Sequence, residues 1–304
     1  MKNWLQLLLV FALVLLLAAC GGQEDSAEEN AENDNTEQTS ETTDQEGASE
    51  ENTTLTVGAS NVPHAEILEF ATDLLAEEGI DLQIETFNDY VIPNQALSEE
   101  EIDANYFQHI PYLEGQIEEH GYDFVNAGGV HIEPIGVYSQ EYGSLDELPD
   151  GAEVLMSSSV ADHGRILMML EEEGLITLDE EVDGVNATIE DIVENPKNLE
   201  FTANIEPAML LQAYQNGEGD AVLINSNFAI DNGLDPQEDS ITLESGEDNP
   251  YVNIIAVRSG DENNEEIQTL LEVLRSDEVK TFIEEEYEGA VLPVSSDAET
   301  SDDQ

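Results

Sequence analysis

From Thr53 to about Pro293 the sequence predicts an α/β fold with a largely parallel sheet, shared between two lobes. Two observations carry this. Short apolar runs that read as strands alternate with segments whose apolar residues recur at helical spacing, the pattern of βα units. The stretch is also about 240 residues long, beyond the usual size of a single hydrophobic core, so two lobes are expected.

Leu55-Thr56-Val57-Gly58 reads as the first strand. Pro63 then suits the first turn of a helix on which Ile67, Phe70, Ala71, Leu74 and Leu75 recur. Leu82, Ile84 and Thr86 alternate as the next strand. Further on, a strand from Ala152 to Met156 precedes a helix carrying Ile166, Leu167, Met169 and Leu170, and Ala221 to Ile224 is a short buried strand. Two extended segments are candidates to cross between lobes: Ile135 to Tyr138, after Pro134, and Tyr251 to Val257, after Pro250. Two crossings make a hinged cleft. The expected bounds are residues 53–136 with 252–294 for the first lobe, 137–251 for the second, and 295–304 for a polar acidic tail.

The N-terminus reads differently. Met1-Lys2-Asn3 is followed by an apolar run from Leu5 to Ala19, too short for a comfortable membrane span but suited to an export signal over residues 1–19. The run ends in Leu17-Ala18-Ala19-Cys20-Gly21, where small residues admit a peptidase and the Cys20 thiol offers a nucleophile for a diacylglyceryl group. Such a lipobox predicts a lipid anchor on the extracytoplasmic face of the cell membrane. Cys20 is the only cysteine, which excludes an intrachain disulfide. From Gly21 to Asn52 there are twelve acids, no Lys or Arg, and three apolar residues, all alanine. Residues 20–52 are therefore expected to be a self-repelling tether that buries too little surface to offset its ordering entropy.

The formal net charge is −65, from 71 acids against 6 bases, which excludes nucleic acid as a partner by repulsion. The acids are spread along the whole chain, in runs such as Glu99–Glu101, Glu171–Glu173 and Glu284–Glu286. This suits a halophilic acidic surface, because near molar salt the Debye length shrinks to about 3 Å and self-repulsion is screened. P-loop, dinucleotide and zinc-protease signatures are absent, and the histidines at 64, 109, 120, 131 and 163 are scattered, so no cofactor or metal is expected unless ligands converge in the fold.

Between Lys2 and Lys197 the only cation is Arg165. It lies in the polar stretch Ser157 to Arg165, after a strand and at the start of a helix, where open α/β sheets bind ligands. A guanidinium there can clamp a carboxylate through two parallel hydrogen bonds, or can pair with one of the chain's own acids. Aromatic residues are 6% of the chain, yet Phe87, Tyr90, Tyr106, Phe107 and Tyr112 cluster among Asn and Gln, which fits an amphipathic pocket as well as core packing.

The runs Phe87 to Leu97 and Ile102 to Leu113 closely resemble the methionine-binding lipoproteins of bacterial ABC importers, the NlpA or MetQ family. So do Ser144 to Leu148, Val193 to Leu199, Ile224-Asn225 and Pro250 to Asn253. The resemblance spans about Leu55 to Pro293. It implies a type-2 periplasmic-binding-protein fold, two Rossmann-like lobes closing on one amino acid, with no catalysis, and an ABC permease and its ATPase as partners. By matching motif it implies that Arg165 grips the α-carboxylate and that Tyr90, Phe107 and His109 line the side-chain pocket. Asn225 and Asn253 would bond the ligand's backbone groups. The chain departs from the family at Asp162, where members commonly have Asn; a carboxylate there can hold the ligand's ammonium or pair with Arg165. Val62 stands where the family often has Gly, removing access to positive φ. Glu206, in a family-like Glu-Pro-Ala segment, suits either a hydrogen-bonding role in the second lobe or ligand contact. Alternatives of the same fold are a binder of D-methionine, another apolar amino acid or a methionyl dipeptide. A dehydratase-like enzyme and a protein-binding surface lipoprotein stand further off.

Overall fold

The structure is a computed structural model that describes residues 52–294; the export signal, Cys20, nearly all of the acidic tether and the acidic tail lie outside the described residues. In chain order the first strands are β1 (Thr53–Ser60), β2 (Ile80–Phe87), β3 (Ala104–His109) and β4 (Phe124–Ile132), connected by helices α1 (Glu66–Glu77), α2 (Ile92–Ser98) and α3 (Ile110–His120). Then follow β5 (Gly136–Tyr138), β6 (Glu153–Ser157), α4 (His163–Glu172), β7 (Thr177–Leu178), β8 (Ile192–Glu194), β9 (Glu200–Ile205), α5 (Pro207–Gln215) and β10 (Ala221–Ile224). The last elements are α6 (Ser226–Asp231), α7 (Pro236–Asp239), β11 (Thr242–Leu243), β12 (Val252–Arg258), α8 (Glu265–Leu274), α9 (Asp277–Tyr287) and β13 (Leu292–Pro293).

Two sheets result, ordered β13-β4-β12-β3-β1-β2 and β11-β5-β10-β6-β9, with β7 and β8 as a small separate ribbon. Most strands of each large sheet run in one direction, as the sequence predicts, but each sheet is mixed, because antiparallel strands are inserted in it. β1 runs parallel to β2 and β3, and β6 parallel to β9 and β10, but β12 lies antiparallel between β3 and β4, and β5 antiparallel between β10 and β11. The reason is the crossing. β12 arrives from the other lobe at the edge where β3 ends, so Asn253 pairs with His109 and the strand runs back down the sheet. β5 does the same on the second sheet, where Gly136 pairs with Ile224. Gly136 thus already belongs to the second sheet, while the last strand residue of β4 in the first is Ile132.

Local chemistry explains the elements. Leu55, Val57 and Ala59 alternate into the core of the first lobe, against Ile67, Leu68, Ala71 and Leu75 of α1. Pro63 does not open α1; it sits in a wide turn over Asn61–Ala65, and the helix begins at Glu66. Val62 there has φ −127° and ψ 136°, extended backbone that suits a β-branched residue, so no glycine is required. Phe70, expected in the core, is exposed but stacks on Phe282 of α9 with ring centroids 4.3 Å apart. The second lobe packs Val154 and Met156 of β6 and Leu223 of β10 against Ile166, Leu167 and Leu170 of α4. Among the described residues no helix is long and apolar enough to cross a membrane.

Candidate functional site

The parallel strands of both sheets end at one cleft, and the residues just past those ends build its walls. On the first lobe, His64 follows β1, Tyr90 follows β2, Phe107 and His109 close β3, and Glu133 follows β4; on the second, Asp162 and Arg165 follow β6 and Asn225 follows β10. Asn253, near the start of β12, completes the ring. All of these line one cavity of ≈ 420 Å³, together with Gln108, Tyr112, Ser226 and Asn227. A wider groove of ≈ 1090 Å³ adjoins it, sharing Tyr90 and Tyr112 and bounded also by Val160, Glu206 and Phe228. The structure therefore places Glu206 on the outer groove rather than the inner cavity.

The first wall is held from behind. Asn94 of α2 and Asn105 and Gln108 of β3 form a buried amide triad: Asn105 donates to Asn94 at 2.9 Å, and Gln108 donates to Asn94 and Asn105 at 2.9 Å each. This fixes the residues on either side of Phe107 and explains why Asn and Gln interleave with aromatics in the sequence. His109 caps α3, its Nδ1 accepting the Tyr112 backbone N–H at 3.1 Å. The proton of the neutral ring therefore sits on Nε2, which donates to Asp162 Oδ1 at 3.3 Å across the cleft. Tyr90 makes the second crossing, its hydroxyl donating to Asn227 Oδ1 at 2.7 Å. Tyr90, Phe107 and Tyr112 pack with centroids 6.0–6.1 Å apart.

The second wall is charged. The turn from β6 into α4 is pinned by the His163 ring, whose Nε2 lies 2.9 Å from the Ser157 carbonyl. At Gly164 a Cβ would collide with the carbonyl of Val185, so only glycine lets α4 pack there. These constraints aim Arg165 at the cleft, where it is buried. Its fork, however, is occupied by the chain itself. Nε is 3.2 Å from both carboxylate oxygens of Glu244, Nη2 bonds Glu244 Oε2 and, at 2.7 Å, the Glu133 carbonyl. The Tyr251 ring lies beneath, 4.6 Å from the guanidinium carbon. Nη1 is the remaining nitrogen, 4.0 Å from Asp162 Oδ1. The expectation of an open two-nitrogen clamp thus becomes a single N–H edge backed by an internal ion pair.

Asp162 is buried, which pushes its carboxyl up, but the His109 bond, the charge of Arg165 and the Asn225 amide outweigh this and hold it below the usual carboxylate range. Burial pushes the Glu133 carboxyl up, against the pull of His64 and Arg165. Asn225 donates through Nδ2 to Asp162 Oδ2 at 3.3 Å, and its Oδ1 is buried without a hydrogen-bond partner among the described residues. A buried acceptor left so is costly, and a ligand donor would satisfy it. Chemically, the cleft offers an N–H edge for a carboxylate, acceptors for an ammonium, and rings for an apolar side chain.

Sequence reasoning named seven of the cavity's residues, Tyr90, Phe107, His109, Asp162, Arg165, Asn225 and Asn253, and the fold brings all seven together. It did not assign His64, Gln108, Tyr112, Glu133, Ser226 or Asn227 to the site, and it missed Glu244, which stands behind Arg165. Glu133 had a local signal, an acid placed between a strand and a proline. Glu244 had none, being one acid among 71.

Two α/β lobes closed over a cavity of this composition define a two-lobed solute-binding protein. The chain belongs to the NlpA lipoprotein family, whose model matches residues 55–295. The methionine-binding lipoprotein MetQ of Bacillus subtilis is 49% identical over 290 residues, covering 95% of this chain and 97% of that protein. The crystal structure of a putative methionine-binding lipoprotein from Bacillus subtilis is 53% identical, with TM-score 0.78, over 80% of this chain and 98% of that one. A nutrient binding protein from Burkholderia cenocepacia bound to methionine is 38% identical, with TM-score 0.74, over 79% of this chain and all of that one.

Proposed function

We propose that this chain is the solute-binding subunit of an ABC importer, and that it captures free methionine in the cavity between its lobes. The observation that carries this is the pairing, in one buried site, of Arg165 Nη1 with the acceptors Asn225 Oδ1 and Asp162, opposite the rings of Tyr90 and Phe107. A zwitterion suits the charged second wall, and a thioether gains about 0.3–1.5 kcal/mol from the rings of the first. The names of the relatives support methionine over other amino acids. Asn253 and His109 complete the polar lining. The family is one of binding proteins, and no catalytic role is assigned to any residue of the cleft. Anchored through acylated Cys20, with residues 20–52 as tether, the lobes would meet the permease on its extracytoplasmic side, the ATPase acting on the cytoplasmic side of the same importer. The acid excess suits a high-salt habitat, where screening lowers self-repulsion.

A thermal-shift panel of the twenty amino acids, D-methionine and methionyl dipeptides tests this. L- or D-methionine should raise the melting temperature most, since a ligand at a hundredfold excess over Kd adds about 2.7 kcal/mol. A larger shift with a dipeptide would move the reading to the adjoining groove, and no shift with either methionine enantiomer would sink it. The same melts at about 0.1 and 1 M KCl, where the Debye length falls from about 10 to 3 Å, should rise with salt; a flat response would remove the halophilic reading.

A further inference from the structure

Five histidines scattered along the sequence do not stay scattered. His64, at the end of the turn after β1, and His131, on β4, converge on Glu133, and one ligand atom from each lies within 4.8 Å of the others, all three residues buried. His131 Nε2 is 2.8 Å and His64 Nε2 is 3.1 Å from the same Glu133 oxygen, Oε1. Asn253 Oδ1 lies 3.0 Å from His64 Nε2. Around a tetrahedral ion with bonds of about 2.0–2.1 Å, neighbouring donors stand roughly 3.3 Å apart, close to this spacing.

We propose that the floor of the cleft is a binding site for one divalent ion of the zinc class, held by His64 Nε2, His131 Nε2 and Glu133 Oε1, with Asn253 Oδ1 or a water as fourth donor.

Three features support it. The outer partners are of the kind that orient metal ligands: the Tyr106 hydroxyl meets His131 Nδ1, and the Asn227 backbone N–H bonds the Glu133 carboxylate. The donor set, two imidazoles and one carboxylate, is one that zinc takes in sites open to an exogenous ligand. The charge balance asks for a cation as well. With neutral imidazoles, the buried carboxylates of Glu133 and Asp162 and the half-buried one of Glu244 face the single guanidinium of Arg165, an excess of two negative charges. A zwitterionic ligand leaves that excess unchanged, a proton on Glu133 removes half, and a divalent ion removes it. The inference stands whichever amino acid the cavity takes.

The test is a competition titration of the full chain with Zn²⁺ against a chromophoric chelator, in about 1 M KCl so that surface acids are screened. One equivalent should bind, and Glu133→Gln should weaken it at least about 100-fold, since removing even an outer partner costs about 10–100-fold. Nitrogen-15 spectra of the histidine rings give a second readout that needs no variant: Zn²⁺ should shift the His64 and His131 resonances and leave His120 in place. Uptake unaffected by Glu133→Gln, or a titration in which those two rings do not respond, overturns the proposal and leaves a hydrogen-bonded network around Glu133. Methionine melts on metal-free protein keep this outcome separate from the amino-acid reading.

Discussion

The wall of the cleft built on β3 and the wall built on α4 use opposite materials. The first presents rings, Tyr90, Phe107, His109 and Tyr112, braced by an amide triad that is neutral throughout. The second presents Asp162 and Arg165, braced by Glu244, so that charge is held in place by further charge. The rings are positioned by packing and amide bonds, which tolerate small changes. The charges are positioned by each other, and removing one leaves its partner buried and unpaired. The two walls should therefore fail differently when perturbed.

The largest effect is expected at the charged wall. Arg165→Ala leaves the buried Asp162 and the half-buried Glu244 without their counter-charge, and breaking a buried pair from one side costs about 3–5 kcal/mol. Chemical denaturation of the ligand-free protein should show that loss, and the methionine melting shift should vanish with it. Glu244→Gln separates the two functions of the arginine. It keeps hydrogen-bond acceptance but removes the counter-charge, so it should lower stability while freeing the fork for a ligand carboxylate. If Arg165→Ala left stability unchanged, the picture of charge held by charge would be wrong.

The floor of the cleft makes a contrasting prediction with pH. Burial lowers the His64 pKa to about 4 and that of His131 to about 3, against an ordinary 6.5. A depressed folded-state pKa gives stability that is complete above the unfolded value and lost as pH falls through the folded one. For His64 alone the window runs from pH 6.5 down to about 4, and the loss across it is about 3 kcal/mol. Urea midpoints of metal-free protein should fall over that range, and His64→Gln should flatten the slope. A slope unchanged by the substitution would place the acid sensitivity elsewhere, among the surface carboxylates.

Much of this contrast was legible in the sequence. The motif around Asn105, Phe107 and His109 announced a pocket wall because polar amides and rings crowd one short strand, whose pairing with β12 skips Phe107. Arg165 stood out because its charge is rare in this chain. What the sequence hid was partnership. Glu244 comes from a loop 79 residues beyond Arg165, and in so acidic a chain no acid is distinctive. His64 and His131 meet only because β1 and β4 both end at the cleft, a convergence that sequence spacing does not encode. The mixed strand directions were hidden for the same reason, since a crossing strand looks like any other until its neighbours are known.

The smallest effect is expected at the seam between the walls. Tyr90 donates to Asn227 at 2.7 Å, joining the ring wall to the helix after β10, and burial pushes the phenol far above its ordinary pKa, so the hydroxyl remains a donor at any working pH. Tyr90→Phe keeps the ring, its 6.1 Å packing on Phe107 and its 5.2 Å packing on Phe228, and removes only that bond. A hydrogen bond of this kind contributes about 0.5–1.5 kcal/mol net. Because it spans the cleft, the loss should fall on closure rather than on the fold of either lobe. Methionine affinity measured by calorimetry should drop by roughly 2–12-fold, the equivalent of that energy, while the melting temperature of the ligand-free protein changes little. A loss as large as that of Arg165→Ala would mean that the ring wall also depends on its polar edge, and the division between the two walls would have to be redrawn.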